Sequence, residues 1–258
     1  MEEALTFFAI AFGFIVGSFL NVVIHRLPLN ESIVFPPSHC PACKTAIAPY
    51  DNIPLLSYLF LRGRCRACRA AISPRYPLVE AFTAFSFWLA LDAYGPGWHA
   101  AAAAVFLALL IALAAIDLQH MILPDELTLG GAALFFVYSF FNPEVSQLDA
   151  VLSGLGAALF FSALFYFYLK VRKIEGLGFG DVKMALFMGL FLGVSRLAIA
   201  VFLASLSGLL VGLYFILFRK KDFKLALPFG PFLALGSYLS LFWGDAILSW
   251  IGSLWMRP

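Results

Sequence analysis

The sequence predicts an all-α polytopic membrane protein with about eight transmembrane helices and a small zinc-ribbon-like cytoplasmic domain inserted after the first helix. The chain is 62% hydrophobic and 12% charged with a mean hydropathy of +0.93, long apolar runs recur along it, and its four cysteines share one polar loop. A soluble domain of 258 residues could not enclose so much apolar surface in one core. The net charge of +2 is too small to indicate nucleic acid as a partner.

The first apolar run, 4–24, has about the length of roughly 20 residues that a spanning helix needs. The chain begins Met1-Glu2-Glu3, without the basic start of a secretory signal, so we expect an uncleaved first helix. The further predicted spans are 78–94, 99–116, 127–141, 148–169, 182–194, 197–218 and 228–251.

Basic residues predict the orientation. If the first helix runs from outside to inside, all but two of the seventeen Lys and Arg residues face the cytoplasm, and the exceptions are Arg196 and Arg257. An excess of Lys and Arg on cytoplasmic loops selects this topology. Both termini are then outside, and Asp117 and Asp181 both emerge on the cytoplasmic side.

The loop at 25–77 contains two C-x-x-C knuckles, Cys40-Pro-Ala-Cys43 and Cys65-Arg-Ala-Cys68. Four thiolates are the ligand set of a tetrahedral structural zinc site, although the 21 residues between the knuckles slightly exceed the common ribbon spacing. Two disulfides or redox-active thiols are the alternatives, and a reducing compartment disfavours disulfides. Because a closed four-thiolate site leaves no position for water, we expect the metal to be structural.

Four arginines surround the second knuckle, at positions 62, 64, 66 and 69. Cationic clusters beside a membrane are attracted to anionic headgroups. We expect these arginines to mark the cytoplasmic side and to contact membrane lipids.

Two acids lie where the third predicted span meets the next. Asp117 follows the span 99–116, where a helix C-terminus is unfavourable for a carboxylate, so it is expected to cap nothing and to have a functional reason for its position. Asp125 follows Pro124 at the start of the next span and is interpreted as an N-cap in preference to a catalytic acid.

Asp181 lies in the segment Gly178-Phe179-Gly180-Asp181, and Gly176 precedes it. Glycines allow unusual backbone dihedrals and the close approach of another chain, such as an extended substrate. From Asp181 to Arg196 a helix would extend only about 20 Å, less than the roughly 30 Å of hydrocarbon, so Asp181 is predicted to lie below the headgroups.

Asp117 and Asp181 are therefore predicted to be a catalytic pair. Two carboxylates in a partly desolvated site cannot easily both ionise, so one activates water while the other, protonated, hydrogen-bonds the scissile carbonyl. The sequence contains no H-E-x-x-H and no G-x-S-x-G, and its cysteines occur in pairs. A metallopeptidase and a serine peptidase are disfavoured.

The chain resembles the type IV prepilin peptidases, which belong to the GxGD class of intramembrane aspartic proteases. The motifs that carry the resemblance span nearly the whole chain. They are GSFLNVVIHRLP at 17–28, the paired knuckles, NIP at 52–54, LRGRC at 61–65, ISPRYP at 72–77, Glu80, Asp117, LPDELT at 123–128, GFGDVK at 178–183 and PFGPF at 228–232.

The resemblance implies that Asp117 and Asp181 are catalytic and that Cys40, Cys43, Cys65 and Cys68 bind zinc. Gly178, Phe179 and Gly180 would shape the substrate loop. Lys183 would favour the ionised form of Asp181, meet an acidic substrate residue or snorkel to the interface. The expected domains are a first transmembrane helix (1–24), a zinc-binding domain (25–77) and a transmembrane aspartic peptidase domain (78–258).

Such enzymes of the bacterial inner membrane cut the basic leader from prepilins and pseudopilins of type IV pili and type II secretion on the cytoplasmic side. The resemblance also implies methylation of the new N-terminus with S-adenosylmethionine as donor; peptidase activity without methyl transfer is the alternative. Archaeal preflagellin peptidases share the aspartates but typically lack the cysteine loop. A proton-coupled transporter, for which no repeated halves are found, and a non-enzymatic assembly platform are the other classes.

Overall fold

The computed structural model describes residues 2–172, 178–219 and 227–255, and the regular structure of these residues is helical apart from two isolated β-bridges. The all-α prediction is thereby confirmed for the described part of the chain. Its α-helices are α1 (Glu2–Arg26), α2 (Leu56–Phe60), α3 (Arg75–Tyr94), α4 (Trp98–His120), α5 (Asp125–Tyr138), α6 (Gln147–Phe167), α7 (Phe179–Arg219) and α8 (Gly230–Trp255).

Five helical segments in the described ranges are long and apolar enough to cross a bilayer. They are Glu2–Leu29, Trp98–His120, Gln147–Val171, Phe179–Phe218 and Gly230–Ser253. The chain is therefore a multi-pass membrane protein. The number of eight spans stays a prediction, since α5 has 14 residues and extends only about 21 Å.

The orientation also stays a prediction, because part of the basic signal lies outside the described residues. Those positions are Lys173, Lys220, Lys221, Lys224 and Arg257, and Gly176 lies outside the described ranges as well.

The chain divides into two compact units, Met1–Ala112 and Leu113–Pro258. In the first unit, α1 packs closely on α3 because glycines on α1 leave room for the α3 backbone. A Cβ on Gly13 would lie 2.6 Å from Ala84 Cα, and a Cβ on Gly17 would lie 2.7 Å from Glu80 Cα. Side chains at these positions would push the helices apart.

Two buried polar side chains tie the first unit together. Glu80 Oε2 accepts a 2.7 Å hydrogen bond from the N–H of Leu55, in the polar loop between α1 and α3. Asn21 Nδ2 donates to Tyr76 O at 3.0 Å and so joins α1 to the first turn of α3. Because buried polar groups need partners, the Glu80 bond anchors the loop to α3 and the Asn21 bond holds α1 against α3.

In the second unit, α7 is the central helix and contacts α5, α6 and α8. Glycines again permit close approach: a Cβ on Gly189 of α7 would lie 2.6 Å from the Gly154 nitrogen of α6. On α8, a Cβ on Gly236 would lie 2.1 Å from the Ala200 oxygen of α7. Small residues therefore hold α6 and α8 against α7, as is common between membrane helices.

The predicted spans 182–194 and 197–218 form the two arms of α7, which is broken at Gly193. The break lies earlier than the predicted gap at 195–196 and contains no loop. Gly193 has φ 71° and ψ 174°, a conformation that side chains disfavour. Asp149 Oδ1 accepts a 3.4 Å hydrogen bond from the Val194 N–H, which the break releases from the helix.

Asp149 and Asp245 both have partners on α7. Asp149 accepts the Val194 N–H at the break, and Asp245 Oδ2 lies 2.6 Å from Arg196 Nη2. Arg196 also pairs with Glu144. These contacts join α8 and the α5–α6 loop to the second arm of α7.

Candidate active site and metal cluster

Asp117 lies in the last turn of α4 and is 5% exposed. Its Oδ2 accepts a 2.9 Å hydrogen bond from the N–H of Gly230, the first residue of α8. The expectation that Asp117 caps nothing is therefore wrong: it is unfavourably placed on its own helix but occupies the favourable, positive end of α8. A Cβ on Gly230 would lie 2.7 Å from Asp117 Oδ2, so glycine is needed for this contact.

Asp181 lies in the first turn of α7 and is also 5% exposed. Its Oδ2 accepts the Gly178 N–H at 3.1 Å, while its own N–H donates to Gly178 O at 3.1 Å. This reciprocal pair has the pattern of a capping box, in which the acid at the third helical position satisfies the amide before the helix. The helix start therefore fixes the direction of the Asp181 carboxylate.

Gly180 permits a close approach between α7 and the turn between α4 and α5. A Cβ on Gly180 would lie 2.8 Å from Leu123 Cβ. A Cβ on Gly178 would lie 3.4 Å from Asp181 Oδ2, which is an ordinary van der Waals contact. Neither glycine has a positive φ, so close packing explains the glycine at 180 and backbone freedom explains neither.

The fold brings Asp117 and Asp181 together, although 63 residues separate them in the sequence. The two carboxylates are close enough to interact electrostatically. Each is held through Oδ2 by one amide, and within the described residues no hydrogen bond reaches either Oδ1. The second oxygen of each acid is thus left for water or a substrate carbonyl.

Phe179 and Lys183 flank Asp181 on α7 and differ in their surroundings. Phe179 is half exposed, packs edge-on against Phe165 with centroids 5.7 Å apart, and lies beneath Lys183 Nζ at 5.9 Å. Lys183 Nζ forms an ion pair with Asp125 Oδ1, so its ammonium group already has an acidic partner within the protein.

The prediction that Asp125 is an N-cap is wrong. Pro124 occupies the cap position of α5, no side chain there accepts a capping hydrogen bond, and Asp125 is the first helical residue. A proline already fixes the backbone at the helix start, which leaves the Asp125 carboxylate for Lys183.

The four predicted metal ligands form one cluster, with their Sγ atoms all within 4.8 Å of one another. Cys40 Sγ lies 3.8 Å from Cys68 Sγ, and the cysteines are free thiols. Sulfurs at the corners of a tetrahedron around zinc, with Zn–S about 2.3 Å, would be about 3.8 Å apart. The arrangement could hold a metal ion, and the donor set fits zinc.

Both knuckles are built by the same backbone pattern. In the first knuckle, the Cys40 N–H donates to Thr45 O and the Lys44 N–H donates to Cys40 O. In the second, the Cys65 N–H donates to Ala70 O and the Arg69 N–H donates to Cys65 O. Lys44 and Arg69 both have a positive φ, and the β-bridges His39–Ala46 and Arg64–Ala71 close the two turns. Each turn points backbone amides at its cysteines.

Hydrogen bonds to sulfur favour the thiolate form at two of the four cysteines. Hydrogen bonds from the Thr45 hydroxyl and amide lower the pKa of the Cys43 thiol from 9.0 to about 6. The backbone amides of Cys68 and Ala67 lower the pKa of Cys65. A backbone amide also lowers the pKa of Cys68, but hydrogen bonds with the neighbouring thiols and desolvation outweigh it and raise this pKa to about 11. Thiolates are the form that binds metal, so two of the four ligands are prepared for a cation.

The arginine cluster lines a cavity of about 930 Å³ in the first unit, away from both aspartates in the sequence. Arg66 donates two hydrogen bonds to Asp51, at 2.7 and 2.6 Å, and this pairing lowers the pKa of the Asp51 carboxyl. Arg62, Arg64 and Arg69 leave the cavity with an excess of positive charge.

Sequence reasoning missed the two partners that hold the acids from a distance, Gly230 for Asp117 and Lys183 for Asp125. The segment Pro228-Phe-Gly-Pro-Phe232 contributes to the family resemblance, but its sequence alone indicates no role. A glycine bracketed by prolines at a helix start was the available signal, because its free N–H can bind a carboxylate.

Two family models match the chain: "Bacterial Peptidase A24 N-terminal domain" over residues 11–94 and "Type IV leader peptidase family" over residues 104–213. A prepilin leader peptidase/N-methyltransferase of Aeromonas hydrophila is 40% identical over 93% of this chain and 91% of its own length. Proteins of the same name from Burkholderia pseudomallei (36%; 95% and 87%) and Pseudomonas aeruginosa (35%; 92% and 90%) are similar. No solved structure matches.

Proposed function

The chain belongs to the type IV leader peptidase family, and on that premise we propose that Asp117 and Asp181 cut the leader from prepilins and pseudopilins. One observation carries the proposal: two buried carboxylates, at the ends of α4 and α7, interact electrostatically, and each is held by a backbone amide through one oxygen. The names of the relatives supply the substrate class.

Peptide hydrolysis needs one ionised and one protonated carboxyl. Two carboxyls that interact in a poorly solvated site cannot easily both ionise, so the pair retains one proton. The ionised acid takes a proton from water as the water oxygen bonds to the scissile carbonyl carbon, and the protonated acid hydrogen-bonds the carbonyl oxygen. The C–N bond then breaks, and the amine leaves with a proton from the pair.

The amides of Gly230 and Gly178 position the acids for this reaction. Both bind Oδ2, so both Oδ1 atoms remain for water and the carbonyl. Orientation of reacting groups can contribute a large part of a rate enhancement, and these bonds cost no reorganisation during the reaction.

The membrane delivers the substrate. A prepilin tethered by its own apolar segment reaches the site at high effective concentration, so the site need not bind it tightly. The half-exposed ring of Phe179, two residues before Asp181, is placed to contact the substrate beside the scissile bond.

We also propose that the chain methylates the new N-terminus with S-adenosylmethionine, as the names of its relatives suggest. The arginine-lined cavity does not fit this donor, because the donor is a sulfonium cation and the cavity is positively charged.

The cysteine cluster is proposed to bind one structural zinc ion through Cys40, Cys43, Cys65 and Cys68. The tetrahedral spacing of the sulfurs and the amide-stabilised thiolates support this. Four thiolate ligands leave no open position, so the ion would hold the two turns together and take no part in cleavage.

The proposed location is the bacterial inner membrane, with eight spans, both termini outside and the aspartates facing the cytoplasm. The distribution of basic residues supports the orientation. The two arms of α7, with α3 and α5, would complete the eight spans.

The experiment is cleavage of a purified prepilin in liposomes by wild-type protein, D117N and D181N, with the products weighed by mass spectrometry. Both variants should fold and cut at least about 1,000-fold more slowly, since each removes one half of the acid–base pair. A further mass gain of one methyl group with S-adenosylmethionine would establish the second activity. Normal cleavage by either variant contradicts the paired-aspartate proposal and makes Asp125 the next acid to test. A wild-type protein that cuts no prepilin would favour a non-enzymatic or transport role.

A further inference from the structure

We propose that the ion pair between Asp125 and Lys183 is a positioning device, which sets the turn between α4 and α5 against the start of α7 and so places Asp181 relative to Asp117. Lys183 Nζ contacts Asp125 Oδ1 across 58 residues of sequence. The inference rests on the peptidase reaction proposed above.

The pair closes a short mechanical path between the two acids. Asp117 lies in the last turn of α4, and its carbonyl accepts the Met121 N–H at 2.9 Å, where the chain turns toward α5. Leu123, buried in this turn, packs on Gly180, and two residues later Asp125 reaches Lys183. The turn thus connects the end of α4, which carries Asp117, to the start of α7, which carries Asp181.

The two contacts on α7 lie three residues apart, on one face of the helix. Asp181 lies between them in the sequence, one residue after Gly180 and two before Lys183. An apolar contact between Leu123 and Gly180 alone would let the turn slide along α7. The ion pair fixes the register, because a charge pair has one favoured position along the helix axis.

Other roles for Asp125 fit the structure less well. It makes no capping hydrogen bond to α5, and it is 62% exposed in its side chain, unlike the two buried acids. Exposed ion pairs contribute little to folding stability, since solvent screens them. A pair that stabilises little but lies between two reacting groups is expected to act on the reaction geometry.

The ammonium group of Lys183 makes two contacts at this position. It meets Asp125 on the α5 side and covers the ring of Phe179 at 5.9 Å. Loss of Asp125 would release both a cation and the turn. Displacement of a reacting group by about 1 Å can reduce a rate by roughly 100-fold.

The test compares D125N, K183Q, the charge-reversed double variant D125K/K183D and the conservative D125E, all in the full-length protein in liposomes with a prepilin substrate. E126Q is the matched control, because Glu126 is an exposed acid in the same first turn of α5. D117N and D181N are assayed in parallel. The readouts are kcat, KM and the thermal unfolding temperature.

D125N and K183Q should each lose roughly 10- to 100-fold in kcat with KM changed less than about threefold and unfolding unchanged, since substrate binding and the fold are kept. E126Q should match wild type. Both D125E and the charge-reversed variant should recover most of the lost kcat.

Wild-type kcat in D125N overturns the inference, and so does a D125E variant as slow as D125N. If the charge-reversed variant unfolds early, D125E decides the question. Cleavage at the normal rate in D117N or D181N refutes the paired-aspartate reaction on which the inference rests. Inactive aspartate variants beside a fully active D125N refute only the positioning role.

Discussion

The cysteine cluster and the aspartate site are built in different ways. The cluster consists of two copies of one local backbone turn, and each turn spans eight residues, 39–46 and 64–71. The aspartate site takes its parts from α4, α7 and α8, with the Gly230 amide 113 residues from the acid it binds. Metal ligands can be prepared by their immediate neighbours, whereas a paired acid requires the assembled helices.

The two regions also differ in how hydrogen bonds stabilise their charged side chains. In the knuckles, backbone amides stabilise thiolates that a cation can bind. In the aspartate site, one amide serves each carboxylate and the other oxygen is left without a protein partner in the described ranges. Polar groups that all have hydrogen-bond partners are typical of a structural site, and polar atoms without a protein partner are typical of a reactive one.

Removal of the metal should have the largest effect, a loss of folding stability that is confined to the cysteine region. Structural zinc contributes on the order of 10 to 16 kcal/mol to folding of small zinc-finger peptides. A strong chelator, or C40S, should therefore abolish the bound zinc, one ion per chain, and increase hydrogen exchange across residues 38–72.

The matched control is H39A, which removes a neighbouring ring but no thiolate and should retain zinc. Exchange in the first arm of α7, 179–192, should not change. Wild-type protein that contains no zinc, or a chelator that leaves exchange at 38–72 unaltered, would show that the cluster does not depend on metal.

A side chain at Gly180 should have the next largest effect, and it should fall on the aspartate site. The added Cβ of G180A would lie 2.8 Å from Leu123 Cβ, and overpacking of this kind typically costs about 1 to 3 kcal/mol. The thermal unfolding temperature and the rate of cleavage should both decline.

G156A on α6 is the control, because nothing lies within 4 Å of a Cβ at Gly156. This change should be neutral or slightly stabilising, since alanine favours helix more than glycine does. If G180A behaves like G156A, the close contact with the α4–α5 turn has no role in the site.

The smallest effect is expected at the break in α7, distant in sequence from both regions. D149A removes the acceptor of the Val194 N–H, and the loss of such a cap costs about 0.5 to 2 kcal/mol. The unfolding temperature should fall while kcat stays the same. D92A, which removes an exposed acid near the end of α3, should change neither; a large loss of kcat in D149A would tie the break to catalysis.

The apolar runs located the helices well because hydropathy is a local property. The run 4–24 became Glu2–Arg26, and 99–116 became Trp98–His120. The cysteine cluster was equally accessible, since a C-x-x-C spacing specifies its own turn. These features could be read without knowledge of the rest of the chain.

Long-range partners could not be read in this way. Helices that are apolar on all sides carry no periodic signal that shows which face meets which neighbour. For this reason the partners of Asp117, Asp149 and Asp125 were missed, and Asp125 was assigned to the nearest backbone instead of to Lys183. The break in α7 was placed near, but not at, Gly193, because flanking polar residues at 195–196 marked it more clearly than the glycine.

The most direct test of the account is a structure of D181N bound to a full-length prepilin in a lipid environment, with wild-type cleavage as the check on the preparation. The account predicts that the scissile carbonyl lies between residues 117 and 181, within about 2.6 to 3.2 Å of each side chain or one water away. Gly230 and Gly178 should still donate to these two residues. A scissile bond that lies away from both, or side chains 117 and 181 too far apart to share one peptide bond, would contradict the paired-aspartate mechanism.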